Sequence, residues 1–111
     1  MKEILSEIND IPGIRGSLVI DLEGLVIASN LTSGMEERTI SAMVANIRSE
    51  IIRSMPQSQG LGGVQLLAAE GTILFLNAPD CLLTVITEPG ANIGLVSIKM
   101  KASLERLLKV L

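Results

Sequence analysis

The stretch MEERTISAMVANIRSEIIRSM, residues Met35 to Met55, reads at helical period on two sides at once. With about 100° per residue, Ile40, Val44, Ile47, Ile51 and Met55 fall in one arc roughly 80° wide, and Ala42, Ala45, Ser49 and Ile52 fall in a second arc nearly opposite. A surface helix normally shows a single apolar stripe toward its core. The first arc therefore reads as core. The second, built mostly of small residues, reads as an interface with a second layer or a second molecule, and 111 residues leave little chain for another layer.

The segment is bounded by local signals. Ser33-Gly34-Met35-Glu36 fits a capping box that starts the helix. Pro56 brings no N–H and disfavours helical geometry in the residue before it, so the helix ends by Met55, with Gln57 to Gly60 as the exit loop. Upstream, Lys2 to Asn9 sets Ile4, Leu5 and Ile8 on one helical face before Pro12-Gly13. Ser17 to Asp21 and Leu25 to Ser29 are strand-like runs joined by Asp21-Leu22-Glu23-Gly24, a hairpin return in which Gly24 supplies the positive φ.

Downstream, Val64 to Ala68, Thr72 to Asn77 and Leu82 to Thr87 read as three sequential antiparallel strands separated by Glu70-Gly71 and Ala78-Pro79-Asp80. Their nearly continuous apolar character suits a sheet covered on both faces by helices. A last helix, capped by Asn92, runs from Ile93 to Leu111 with Val96, Met100, Leu104, Leu107, Leu108 and Leu111 near one face. The order is helix, two strands, helix, three strands, helix, without linker or repeat, and residues 1–111 are expected to form one domain.

Composition narrows the function classes. Hydrophobic residues make up 48% of the chain and mean hydropathy is +0.51, yet no apolar run approaches the roughly 20 residues of a membrane span. Excess apolar surface then points to self-association and not to membrane insertion. The first residues lack the basic start and apolar centre of a secretion signal, so a cytoplasmic location is expected. Net charge is −3 and the nine basic residues are scattered, which argues against nucleic acid. Phe75 is the sole aromatic, leaving no stacking platform for bases.

With no histidine, Ser-His-Asp and Cys-His schemes and imidazole metal sites are excluded. Cys81 is the one cysteine and reads as a small buried residue. Gly60-Leu61-Gly62-Gly63 precedes a strand and no lysine follows, so it does not read as a phosphate cradle. Asp21, Glu23, Glu70, Asp80 and Glu88 fall mostly at turns or strand ends and serve turn chemistry and solubility. No cofactor is implied. Arg38, Arg48, Glu50 and Arg53 flank the small-residue arc; they read either as a solvated, salt-bridged face or as a partner-recognition surface.

The hairpin Gly16-Ser17-Leu18-Val19-Ile20-Asp21-Leu22-Glu23-Gly24-Leu25-Val26-Ile27-Ala28-Ser29 and the closing Pro89-Gly90-Ala91-Asn92-Ile93-Gly94-Leu95-Val96, at these separations and in this order of elements, resemble the Roadblock family. That family includes dynein light chains and prokaryotic MglB-like regulators of Ras-like GTPases. The resemblance implies an α+β sandwich, α-ββ-α-βββ-α, with a five-stranded antiparallel sheet of order 2-1-5-4-3. The first and last helices would lie on one face and the central helix on the other.

It further implies a homodimer in which central helices pack antiparallel and third strands pair across a two-fold axis. Here that maps onto Ala42, Ala45, Ser49 and Ile52 of the helix and onto Val64, Leu66 and Ala68 of the strand. The paired helices would dock a Ras-like, MglA-like small GTPase without donating a catalytic arginine from Arg38, Arg48 or Arg53. Two further readings stand beside this non-enzymatic regulator: a cytoskeletal or motility adaptor indifferent to nucleotide state, and a small-ligand sensor. The apolar core with few polar anchors weighs against the sensor. The short form looks closer to the prokaryotic stand-alone regulators than to the animal light chains.

Overall fold

A computed structural model describes residues 1–32, 34–55 and 62–110. Helix α1 (Lys2–Asn9) buries Ile4, Leu5 and Ile8, whose spacing puts them on one side. Strands β1 (Ile14–Asp21) and β2 (Val26–Leu31) then form the expected hairpin, each longer than its apolar run. Asp21 makes the return: its carboxylate accepts from the N–H groups of Glu23 and Leu25, both at 2.9 Å. Gly24 sits at φ +97°, where a side chain would be strained, and its N–H donates to the Asp21 carbonyl.

Helix α2 (Glu37–Ser54) starts two residues later than Met35. Glu36 is extended, at φ −95° and ψ 100°, and makes no side-chain capping bond; Ser33, the other half of the expected box, lies outside the described residues. The first turn is tied elsewhere: the Ser29 hydroxyl on β2 donates to the Glu37 carboxylate at 2.6 Å. The helix closes at Ser54, as the following proline requires, while the exit loop from Gln57 to Gly60 lies outside the described residues.

Strands β3 (Gly63–Ala68), β4 (Gly71–Asn77) and β5 (Cys81–Thr87) complete one antiparallel sheet of order β2-β1-β5-β4-β3. Helix α3 (Ile93–Val110) follows, its first turn capped by Asn92, whose side-chain oxygen accepts from the Leu95 N–H at 3.1 Å. The pattern is α-ββ-α-βββ-α, as the order of elements indicates.

Alternation along the strands splits the core into two layers. Val19, Leu74, Leu83 and Val85 point to the side of α1 and α3, where they meet Ile4, Leu5, Ile8, Val96, Met100 and Leu107. Leu18, Ile20, Phe75, Leu82 and Ile86 point the other way, toward Val44 of α2. Central β5 is buried along its whole length, which accounts for its unbroken apolar run.

Double cover does not extend to β3. Helix α2 lies chiefly over β1 and β2, and α3 comes closest to the sheet at β4. Val64 and Leu66 are consequently half-buried, while Gln65 and Leu67 are exposed. In α3, Leu108 is exposed, against the expected stripe, and Ser103 takes a buried place. Leu108 is about 100° round the helix from Leu107, and only one of the two faces the sheet. Leu111 lies outside the described residues.

Candidate interaction surface

The two arcs of α2 meet different fates. Ile40, Val44 and Ile47 pack on the sheet and Ile51 is half-buried. Met55, placed in the same arc by period, is 58% exposed because the helix has already ended. On the opposite arc, Ala45 is buried within the single chain. The β1–β2 return covers it: a Cβ added to Gly24 would lie 3.4 Å from the Ala45 Cβ and 3.5 Å from the Ser41 carbonyl oxygen. Small size at position 45 therefore already serves close packing inside the chain, against the hairpin.

Ala42 and Ser49 remain exposed, and Ile52 is partly so. With Thr39, Asn46 and Arg53, also exposed, Ala42 and Ser49 form one outward ridge at alternating spacings of three and four residues. Thr39 and Asn46 are absent from the sequence reading of this arc because they are neither apolar nor as small as alanine and serine. Their spacing was the available signal, since a ridge is defined by position before it is defined by hydropathy.

The four charged residues separate. Arg38 is exposed at the head of the ridge. Arg48 turns toward the sheet, its Nε donating to the Asn77 side-chain oxygen at 2.7 Å, so that it braces α2 against the end of β4. Nothing in the sequence pairs positions 48 and 77. Glu50 and Arg53 form an exposed ion pair one turn apart, an interaction worth about 0–1 kcal/mol. Arg38 and Arg53 thus stand on the open side, Glu50 is tied to Arg53, and Arg48 is engaged within the chain.

Strand β3 pairs with β4 without a register shift, from Gly63 opposite Leu76 to Ala68 opposite Gly71. It ends the sheet order, so its outer side has no strand partner among the described residues. Val64 and Leu66 lie opposite Phe75 and Ile73 and share their face, that of α2. Ala68 is exposed, and Leu67 is 77% exposed. The ridge on α2 and the bare strand are two unsatisfied features of the same sheet.

Reactive chemistry is scarce beside them. Among the described residues no group of three His, Cys, Asp or Glu side chains could hold a metal ion. No helix among them is long and apolar enough to cross a membrane. Asp21 is occupied by its turn. Cys81 is fully buried, and burial first, then the charge of Asp80, pushes its thiol above the ordinary value. Of the loop Gly60-Leu61-Gly62-Gly63, the first two residues lie outside the described ones and Gly63 opens β3. The surface is suited to packing against another macromolecule.

A family model for the Roadblock/LC7 domain matches residues 1–87. The chain belongs to the Roadblock/LC7 family. An uncharacterized protein of Methanocaldococcus jannaschii, MJ1340, is 32% identical over 107 residues, covering 94% of this chain and 93% of its own. Among solved structures, the gliding protein MglB from Thermus thermophilus superposes with a TM-score of 0.83 at 20% identity, covering 98% of this chain and 86% of that one. An MglB described in a tetrameric arrangement gives 0.80 at 21% identity, covering 98% and 85%. At such identities the two structures establish a shared Roadblock/LC7 fold.

Proposed function

We propose that this Roadblock/LC7 chain is a homodimeric, non-catalytic regulator or scaffold of a Ras-like small GTPase. The observation that carries the reading is the pairing of an exposed small-residue ridge on α2 with an uncovered, unbulged edge at β3. Thr39, Ala42, Asn46 and Ser49 would let two helix axes approach closely. The β3 edges would join through main-chain hydrogen bonds, removing the hazard of an open edge that carries no proline or lysine. Val64, Leu66 and Ala68 would lie at that junction, with Ile52 beside the helix seam. Ala45 would support the seam from beneath, through the hairpin.

The Thermus fold neighbour is named a gliding protein, and another MglB forms a tetramer. The first name supports a motility setting for this chain, and the second supports self-association. In the dimer, Arg38 and the Glu50–Arg53 pairs would border the joined helices and supply the polar rim of a docking platform. A cytoplasmic location follows from that role.

The test is a pull-down of a Ras-like small GTPase of the same organism, loaded with GDP or with a non-hydrolysable GTP analogue, on immobilised protein. The proposal expects retention in one nucleotide state and loss of retention with Arg38→Glu. Equal retention in both states would favour a nucleotide-indifferent adaptor, and no retention would remove the GTPase from the account.

A further inference from the structure

The side of the sheet away from α2 carries a groove that the platform does not use. It has a volume of about 510 Å³ and runs between α3 and the β3–β4 end of the sheet. Gly63, Gln65, Leu74 and Leu76 form its floor, and Leu104 and Lys101 line its α3 wall. It lies where α3 comes closest to the sheet at β4 and leaves Gln65 and Leu67, on this face of β3, exposed. Gly63 keeps the floor low: a Cβ there would come within 2.9 Å of both the Leu76 side chain and the Phe75 carbonyl oxygen.

Charge indicates what the groove accepts. The chain is acidic overall, yet α3 carries four of its nine basic residues and one of its twelve acidic ones. Arg106 is taken by Glu7 of α1. Lys101, the charged residue of the groove, has no ion-pair partner among the described residues. An apolar floor beside an unpaired ammonium complements a segment that presents leucine-like side chains inward and carboxylates at its border. Basic segments meet the wrong charge here, and the floor supplies few polar partners for a wholly polar one.

We infer that the α3–β3 groove is a docking site for an acidic, amphipathic helical segment of a partner protein, separate from the α2 platform. A single chain builds the whole groove, so the inference does not depend on the proposed dimer or GTPase.

The probe is a fluorescein-labelled peptide of about 14 residues, four helical turns, with leucine on one face and glutamate on the other. Its lysine counterpart serves as control. Fluorescence anisotropy should show saturable binding of the glutamate peptide alone, weakened about tenfold or more by Lys101→Glu through like-charge repulsion. Gln65→Trp, at an exposed floor position, should block binding while leaving the thermal transition within a few degrees. Methyl NMR should place the peptide-induced shifts at Leu104, Leu74 and Leu76.

Absence of saturable binding, equal binding of the lysine peptide, or insensitivity to both substitutions would overturn the inference. Shifts confined to α2 would do the same. Concentration-dependent shifts at the groove without peptide would assign it to a second copy of the chain instead.

Discussion

The two edges of the sheet are finished differently. At β2 the register with β1 slips at Val19 and Ile20, leaving Ile27 as an extra residue that bends the strand. Asn9 of α1 donates its side-chain amide to the Asn30 carbonyl at 2.8 Å and accepts from the Ser17 hydroxyl at 2.8 Å. Helices α1 and α2 also pack over β2 from opposite faces. Edge β3 has an even register, less helix cover than β2 and Leu67 in solvent. A bulge and two helices blunt one edge, and the Asn9 bonds pin α1 to it; the other is left fit for pairing.

The largest effect should separate the shared interior from the open edge. Leu18, fully buried where β1 meets both neighbours, should lose about 2–5 kcal/mol on change to alanine, measured by urea unfolding. Leu67→Ala removes little buried area in the single chain and should cost under about 1 kcal/mol in a monomeric background. A comparable loss at both positions would mean that β3 is covered.

Next comes the α2 ridge. Ala42→Arg places a long charged side chain where two helices would touch, and should weaken self-association about 100-fold or more by sedimentation equilibrium. Position 42 is exposed in the single chain, so far-UV circular dichroism should not change. Ala45→Arg is a different experiment: it strikes the Gly24 return and should lower folding stability as well as assembly.

At the blunted edge, Asn9→Ala removes two hydrogen bonds. A loss of about 1–2 kcal/mol in urea unfolding is expected, with no change in oligomeric state. New association through β2 would show that the bulge and the two helices do not close this edge by themselves.

The smallest effect is a pH dependence common to both edges. Because the thiol of Cys81 is pushed up in the folded protein, its protonated form stabilises the fold below the unfolded-state value. That contribution is present in full below about pH 9.0, the ordinary value, and is lost as pH rises through the folded one. Cys81→Ala should flatten this alkaline slope in thermal unfolding curves, and an unchanged slope would assign it to other groups.

The layering was legible because it is written in periods. Ile4, Leu5 and Ile8, the Asp21–Gly24 return and the Val96–Met100–Leu107 stripe each follow local rules that tertiary context did not override. Boundaries were less legible: α2 begins at Glu37, where its first turn is tied to Ser29 on another strand, a contact eight residues away in sequence. The surface was legible in part. Small residues on one arc of α2 could be seen, but Ala45's cover by the hairpin and Arg48's bond to Asn77 join distant positions that no single-helix projection relates. The bare face of β3 was hidden for the converse reason: its apolar run resembles that of β5, and only helix placement tells a buried strand from an edge awaiting a partner.

Sedimentation equilibrium of the wild-type chain at micromolar concentration, in parallel with Ala42→Arg, tests most directly whether the open side of α2 and β3 is built for a second copy. The account predicts twice the 11.8 kDa chain mass for the wild type and the single-chain mass for the variant. A wild-type monomer, or a variant that stays dimeric, would contradict it.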